Sequence, residues 1–482
     1  MPRLSFSTLL FCVLCLTLNC PADGSAADSQ RKPNILFIFA DDQCFDTINS
    51  LGNEEIQTPN LDRLVARGTT FTHAYNMGSW SGAVCVASRT MLITGKFLWH
   101  AEKDYKETSK RYLDTGRLWP QLMAKAGYDT YFTGKWHIRA DATKAFKTAR
   151  NVRGGMPNQT PEGYNRPIEG QPLKWKPWDM AFGGFWKGGK HWSEVVGDDA
   201  CDYLDAARKS DNPFFMYIAF NAPHDPRQSP KEYVDKYPLD KVAVPQNFLT
   251  EYPYNEAMKA GRGLRDEKLA PFPRTEYSVK VNRQEYYAII THMDEQIGRI
   301  LDTLEASGQA DNTYIFFSAD HGLACGQHGL MGKQNMFDHS VRVPLMVVGP
   351  NVPAGEKRNA NVYLQDIMAT SLELASTERP DYVQFNSLLP LVKDKSKSGY
   401  AAVYGAYLQG QRAITVGDYK LILYPEARKT LLFNVKADPL EMHDLSEQPE
   451  HRKTVKRLFA RLLDLQTETG DELDLKAVYP TL

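Results

Sequence analysis

Two runs of large apolar residues that end in acidic side chains constrain the fold of this chain more than any other feature. Residues 35–39 read Ile-Leu-Phe-Ile-Phe, and Asp41 and Asp42 follow one residue later. A second run, at residues 314–319, ends in Asp320. Continuous apolar strands are typical of parallel sheets that are covered on both faces, and open α/β sheets bind ligands beyond the carboxyl ends of their strands. The pattern therefore predicts an α/β fold with acidic side chains at a ligand site.

The rest of the chain alternates between predicted strands and helices, which favours the same fold class. Buried strands are expected at residues 34–40, 129–133, 213–220, 313–318 and 344–348. Helices are expected at residues 117–126, at 284–307, where apolar residues follow helical spacing, and at about 450–468. After about residue 375 the expected strands are short, at residues 412–416, 420–424 and 430–433. Residues 138–192 and 225–282 interrupt the alternation, and we expect long loops or insertions over the site there.

The acidic residues at the strand ends can be interpreted in two ways. Asp41, Asp42, Asp320 and His321 together offer several carboxylate oxygens and one imidazole, and hard divalent cations prefer oxygen ligands. Alternatively, an Asp after a strand is only a turn former or a helix cap. The first interpretation predicts a metal site at the edge of the sheet.

A short motif around Cys85 favours the metal-site interpretation. The sequence Cys85-Val-Ala-Ser-Arg89-Thr, followed by Thr-Gly-Lys at residues 94–96, resembles the signature of the type I sulfatases. In that family the cysteine is oxidised to formylglycine, and the aldehyde hydrate is the nucleophile. The other interpretation is that Cys85 is a small buried apolar residue.

The resemblance extends in order along nearly the whole chain. It includes Thr58-Pro-Asn-Leu-Asp-Arg-Leu as a first helix, Thr-Gly-Lys-Trp-His at residues 133–137, Pro-His-Asp-Pro at 223–226, Arg-Val-Pro-Leu at 342–345 and Gly-Asp-Tyr-Lys at 417–420. It implies an alkaline-phosphatase-like mixed sheet flanked by helices, at residues 28–375. It also implies a smaller C-terminal subdomain, residues 376–482, with a four-stranded antiparallel sheet and one helix.

The same resemblance implies a role for each site residue. A divalent ion, most often Ca²⁺ with Mg²⁺ or Mn²⁺ as alternatives, would be bound by Asp41, Asp42, the modified Cys85, Asp320 and His321. Lys135 and Lys333 would bind the sulfate oxygens, and Arg89 would hold the hydrate and the carboxylates. His224 would protonate the leaving alcohol, and His137 would deprotonate the hydrate so that sulfate is expelled.

The predicted substrate is a sulfated poly- or oligosaccharide, although the residues do not specify the sugar, the sulfated position, or exo or endo action. Trp175, Trp178, Trp186 and Trp192 alternate with lysines in the 138–192 segment, which suits a sulfated-glycan subsite. These rings can equally serve to pack the segment onto the main domain. Two other functions stay open: a phosphodiesterase or phosphonate monoester hydrolase of the same superfamily, and a non-catalytic glycan-binding protein.

The N-terminus and the net charge bear on location and partners. Arg3, an apolar run at residues 9–18 and Ser-Ala-Ala at 25–27 resemble a secretory signal peptide spanning residues 1–27. An exported enzyme, periplasmic or secreted, is expected, with no membrane span and with a formylglycine-generating or equivalent maturation enzyme as a partner. The net charge of −1 gives no basis for binding nucleic acid by bulk charge. Four cysteines follow the signal, so with Cys85 modified at most one disulfide is possible.

Overall fold

The computed structural model describes residues 1–2, 31–157 and 160–482, so the predicted signal peptide lies almost entirely outside the described residues. Residues 32–482 form one unit by their backbone contacts, and the subdomain limit at residues 375–376 stays a prediction. The strands in the described ranges are β1 (Asn34–Ala40), β2 (Thr69–Tyr75), β3 (Gly78–Ser79), β4 (Asp129–Lys135), β5 (Thr148–Arg153), β6 (Trp186–Lys187), β7 (Lys190–His191), β8 (Phe214–Ala219), β9 (Thr313–Ala319), β10 (Arg342–Val343), β11 (Leu345–Val348), β12 (Glu356–Tyr363), β13 (Val403–Tyr407), β14 (Gln411–Val416), β15 (Tyr419–Tyr424) and β16 (Lys429–Asn434).

Four parallel strands form the centre of a nine-stranded mixed sheet. Their order is β9–β1–β8–β4, and β11 continues the sheet antiparallel to β9. Ala40 at the end of β1 pairs with Ala319 of β9, and Phe39 pairs with Ala219 of β8. Because parallel strands end at the same edge, the residues that follow all four strands meet in one place. The predicted α/β fold and all five of its predicted buried strands are confirmed.

The C-terminal sheet differs in one respect from the expected four-stranded antiparallel sheet. Strands β13 to β16 form the antiparallel meander, but β3 from the first part of the chain adds a fifth strand, parallel to β13. Only Gly78 and Ser79 take part, and a strand of two residues is too short to produce a periodic pattern in the sequence.

The four helices expected from the sequence are present with shifted limits, whereas nine other helices of the described residues, including the 16-residue helix Trp192–Ala207, were not predicted. The helices are α1 (Pro59–Arg67), α2 (Val84–Thr94), α3 (Leu98–Tyr105), α4 (Trp119–Lys125), α5 (Ala142–Ala145), α6 (Trp192–Ala207), α7 (Lys231–Val234), α8 (Glu276–Ala306), α9 (Asp338–Val341), α10 (Asp366–Leu374), α11 (Leu389–Lys393), α12 (Arg452–Thr469) and α13 (Leu475–Val478). Helix α8 begins eight residues before the predicted Gln284, because Thr275 and Ser278 form a capping box at its start. Thr58 is the N-cap residue of α1, but the backbone N–H of Leu61 is bound by Asp294 of α8, at 2.7 Å.

Helix α2 lies between the two sheets, and all its side chains are buried. Leu92 and Ile93 belong to the apolar core of the large sheet, whereas Ala87 and Met91 belong to the core of the C-terminal sheet. A helix that is buried on all sides is held rigidly. Its first turn therefore presents Cys85 from a fixed position.

The described residues contain no membrane-spanning candidate and no disulfide. No helix in the described ranges has both the length and the apolar character needed to cross a membrane. Cys44, Cys85, Cys201 and Cys325 are free thiols.

Candidate active site

Four strand ends deliver polar side chains to the edge of the large sheet. Asp41 follows β1, Asp320 follows β9, Lys135 ends β4, and His224 lies five residues beyond β8. All four side chains are buried. The close approach of β4 to β8 requires glycine at position 134, since a Cβ atom there would lie 1.8 Å from the carbonyl oxygen of Ala219 and φ is +95°.

The three carboxylates of the site lie in contact and differ in their ionisation. The backbone N–H of Asp42 donates to Oδ1 of Asp320 at 3.0 Å. Burial, together with the neighbouring acids, raises the pKa of Asp41 and of Asp42. Burial acts on Asp320 as well, but Arg89 and the two lysines outweigh it and lower the pKa of that carboxyl. Asp42 has φ of 70°, a left-handed conformation that Asp tolerates better than most residues.

Cys85 and Arg89 reach the carboxylates from one face of α2, since they are four residues apart in the helix. The Cys85 Sγ lies 3.3 Å from Oδ1 of Asp41. Nε of Arg89 donates to Oδ2 of Asp320 at 2.9 Å, and Nη1 donates to the carbonyl oxygen of Lys135 at 2.7 Å. Burial and the adjacent carboxylates raise the pKa of the Cys85 thiol well above its usual value. The unmodified residue is therefore a poor thiolate nucleophile in this structure.

Two lysines neutralise the first two acids. The Lys135 ammonium pairs with Asp41, and Nζ of Lys333 lies 2.6 Å from Oδ2 of Asp42. Lys333 also lies 3.1 Å from the Cys85 Sγ. Burial lowers the pKa of Lys333, but the surrounding acids outweigh it and the net pKa is raised, so the side chain carries a positive charge.

Two histidines lie beside these charged groups, and their surroundings favour the neutral imidazole. Burial and the charges of Lys135, Arg89 and Lys333 lower the pKa of His137 to about 3. Burial and Lys333 also lower the pKa of His224 well below its usual value. Nδ1 of His224 lies 2.7 Å from the carbonyl oxygen of Asp225, so its Nε2, 3.5 Å from Oδ2 of Asp42, is the atom available to a ligand.

The arrangement of donor atoms fits a divalent cation. Ligand atoms of Asp41, Asp42, Cys85 and His224 all lie within 4.8 Å of one another. Within the described residues, this cluster does not include Asp320 or His321. Asp320 is engaged with Arg89 and with the backbone of Asp42, and Nδ1 of His321 lies 2.9 Å from the Gly322 carbonyl. Nε2 of His321 is nevertheless buried without a hydrogen-bond partner. Carboxylate-rich donor sets suit hard cations, whereas imidazole suits transition metals better.

A cavity of about 330 Å³ opens onto Cys85, His137, His224 and Lys333. Sequence reasoning missed several of its other lining residues, which are Gly82, Met156, Leu264, Arg265, Asp266 and Gln334. Leu264, Arg265 and Asp266 come from the 225–282 segment and Met156 from the 138–192 segment, so the expectation that both segments lie over the site is confirmed. The lining residues do not include the four tryptophans of the described part of 138–192, and Trp175 is fully buried against Phe182. For Trp175 the packing interpretation is the one that the structure favours.

The mixed sheet flanked by helices, with a smaller antiparallel sheet, is the fold of solved sulfatases, among them a 2-O GAG sulfatase that superposes with a TM-score of 0.70 at 20% identity. The family profile described as Sulfatase matches residues 33–377, and the profile described as N-sulphoglucosamine sulphohydrolase, C-terminal, matches residues 326–468. The chain belongs to the sulfatase family and is a sulfuric ester hydrolase.

Similar proteins of known sequence cover most of the chain. An N-acetylglucosamine-6-O-sulfatase of Bacteroides thetaiotaomicron is 26% identical, over 96% of this chain and 91% of that protein. An ulvan-active sulfatase of Formosa agariphila is 27% identical, over 94% of this chain and 84% of that protein. A solved structure in complex with its substrate D-glucosamine-2-N,6-O-disulfate superposes with a TM-score of 0.72 at 23% identity, covering 92% of this chain and 99% of that one. At such identity the structural match supports the fold alone.

Proposed function

We propose that this chain hydrolyses sulfate esters on a sulfated poly- or oligosaccharide, with Cys85 converted to formylglycine as the nucleophile. The observation that carries the proposal is the position of Cys85, which lies in the cavity within reach of Asp41 and Lys333. An aldehyde hydrate at this position supplies a hydroxyl that can attack sulfur and a second hydroxyl through which sulfate is later released. Because burial raises the pKa of the Cys85 thiol, the unmodified cysteine stays protonated and is poorly suited to attack sulfur.

We also propose that Asp41, Asp42, Asp320, His321 and the modified Cys85 hold a divalent ion, most simply Ca²⁺, with Mg²⁺ or Mn²⁺ as alternatives. The buried carboxylates of Asp41 and Asp42 beside Cys85 and the unpartnered Nε2 of His321 support this set. Such an ion supplies Lewis-acid stabilisation of the negative charge on sulfate oxygens. The pKa of Asp41 and of Asp42 is raised by burial, and a bound cation would favour their ionised forms.

The buried cations serve charge stabilisation in this proposal. Lys135 and Lys333 both point their ammonium groups at the acids around Cys85, so they also lie where sulfate oxygens must bind. Arg89 holds Asp320 and the end of β4 in fixed positions, because its guanidinium donates hydrogen bonds to both. A pre-arranged set of charges stabilises the transition state without a reorganisation cost.

His224 and His137 divide the proton transfers. A bound sulfate ester is anionic, and an anion beside Nε2 of His224 favours the imidazolium that can protonate the leaving alcohol. Burial and the nearby cations lower the pKa of His137 to about 3, so it is neutral; a bound sulfate anion would offset these cations and raise its basicity, so that it can accept the proton of the second hydroxyl. Its Nδ1 is buried without a hydrogen-bond partner and is thus uncommitted.

The glycan substrate is supported by the names of the relatives, two of which act on sulfated sugars or on ulvan. Maturation would require a formylglycine-generating or equivalent enzyme, and the proposed signal at residues 1–27 would place the enzyme in the periplasm or outside the cell. Phosphonate monoester hydrolase is the second candidate, since the solved enzyme of Agrobacterium radiobacter has the same fold with a TM-score of 0.70 at 20% identity.

Paired rate measurements decide between the candidates. The matured protein is assayed for inorganic sulfate release from sulfated mono- and oligosaccharides, and for hydrolysis of a phosphonate monoester and a phosphodiester. The proposal expects kcat/KM for at least one sugar sulfate to exceed that for both phosphorus esters. A faster phosphonate monoester or phosphodiester reaction would support the second candidate instead. Binding of glycans with no hydrolysis of any ester would support a non-catalytic role.

A further inference from the structure

One wall of the cavity carries an acidic side chain that the proposed catalytic steps do not use. Asp266 lines the cavity with its neighbours Arg265 and Gln334, and its side chain is buried. The Arg265 guanidinium pairs with one carboxylate oxygen of Asp266, and Nε2 of Gln334 donates to the other at 2.7 Å. Arg265 also binds Asp225, at 2.6 Å, so its positive charge is shared between two acids.

The hydrogen bonds of this wall determine which atom is left for a ligand. Nε2 of Gln334 donates to Asp266 and to the carbonyl oxygen of Gly82, at 3.1 Å, so both of its N–H groups are used. Its Oε1 accepts from the backbone N–H of Lys333 at 3.0 Å. A carboxylate has about four acceptor sites, and Asp266 has one donor on each oxygen. Asp266 therefore keeps acceptor capacity inside the cavity, whereas Gln334 holds it in place.

The charge of Asp266 determines which groups of a substrate it can bind. Burial raises the pKa of this carboxyl, but Arg265, Lys333 and the Gln334 amide outweigh burial and the net pKa is lowered, so the group is ionised. A buried carboxylate repels a sulfate group. It accepts strong hydrogen bonds from hydroxyl or ammonium groups. The cavity thus has cations and the nucleophile around Cys85 and an acceptor at Asp266.

We infer that Asp266 is a specificity-determining residue of a subsite for the leaving sugar, where it accepts hydrogen bonds from hydroxyl or amino groups near the sulfated carbon. Arg265 and Gln334 are positioning residues that fix its carboxylate. The subsite takes an uncharged or amino sugar and disfavours a uronate carboxylate or a second sulfate at the same place. This inference rests on the proposed function, because it assigns the alcohol side of the same cavity.

The first test uses the wild type. Sulfate release is compared between N-acetylglucosamine 6-sulfate, N-acetylgalactosamine 6-sulfate, a uronate 2-sulfate and 4-nitrophenyl sulfate, all at the monosaccharide or aryl level. We expect a higher kcat/KM for an uncharged amino-sugar sulfate than for the uronate sulfate. A preference for the uronate sulfate would overturn the inference while leaving the proposed function intact. Hydrolysis of none of these monosaccharide sulfates would overturn the inference, and sulfate release from a sulfated oligosaccharide would then show that the proposed function still holds.

The second test uses Asp266→Asn. A hydrogen bond to a charged group is lost or weakened, so KM for the preferred sugar sulfate should rise roughly 10- to 100-fold. With 4-nitrophenyl sulfate, which has no neighbouring hydroxyl, kcat/KM should stay within about threefold. Gln334→Ala should give a smaller change of the same substrate-selective kind. Asp235→Asn, an exposed Asp of the same segment, is the matched control and should change neither. Equal losses on the sugar and aryl substrates for both cavity variants would mean a structural role and overturn the inference.

Discussion

Replacing His224 by alanine tests the proposed division of labour in the cavity. Nδ1 of His224 is tied to the carbonyl oxygen of Asp225 at 2.7 Å, so only Nε2 can give a proton to a ligand. General acid catalysis contributes typically 10²- to 10⁴-fold, which corresponds to about 3–5 kcal/mol of barrier. We expect a loss of this size with a sugar sulfate, because a sugar alkoxide is a poor leaving group.

The acid cluster should survive this substitution. Oδ2 of Asp42 loses a contact at 3.5 Å but keeps the Lys333 ammonium at 2.6 Å, so no buried carboxylate is left without a partner. An aryl sulfate has a good leaving group that needs little protonation, and its rate should fall by less than about tenfold.

The assay is a comparison of kcat/KM for one sugar sulfate and one aryl sulfate, with identical maturation of each variant checked first. His443→Ala is the control, because the His443 side chain is 77% exposed and lies beside Asp438 in the C-terminal region. Equal losses on both substrates would show that His224 binds sulfate rather than donating a proton. A larger loss for Lys333→Ala, confined to the sugar sulfate, would assign the proton to Lys333.

The remaining predictions concern other parts of the site. Chelation should abolish turnover, and adding back Ca²⁺, Mg²⁺ or Mn²⁺ should restore it to an extent that identifies the ion; full activity in metal-free protein would refute the metal site. His137→Ala should impair sugar and aryl sulfates alike, because it acts after the leaving group has gone, and mass spectrometry should detect sulfated enzyme; a sugar-specific loss would contradict this role. Gly134→Ala should destabilise the protein by about 2 kcal/mol or more, since its Cβ would clash with the Ala219 carbonyl at 1.8 Å; urea unfolding that matches the wild type would show that β4 and β8 can separate.

The strands and their ends could be predicted because local sequence determines them. A run such as residues 35–39 is apolar at every position, and its burial on both faces follows from composition alone. Asp41 and Asp320 then fall at one edge, since their strands are parallel and in register. The helical spacing in residues 284–307 was sufficient to predict α8, but its first two turns were not predicted, because their capping box lies in a segment interpreted as loop.

Other features depend on contacts between distant parts of the chain. The two residues of β3 become a strand only because β13 lies beside them. Asp266 and Gln334 are 68 residues apart in the sequence, and their side chains meet only when the 225–282 segment folds over the cavity. The nearness of His224 to Asp42 likewise depends on the adjacency of β1 and β8. Non-local contacts of this kind leave no pattern in a single sequence.

The central claim is that an aldehyde at position 85 carries the reaction. Protein is prepared with and without coexpression of a maturation enzyme, and the fraction of the Cys85 peptide that carries formylglycine is measured by mass spectrometry. Each preparation is then assayed for inorganic sulfate released from the best sugar sulfate. The account predicts a rate proportional to that fraction, with none in a Cys85→Ser variant made in a host that modifies only cysteine. Full turnover by protein that contains only unmodified cysteine would contradict it.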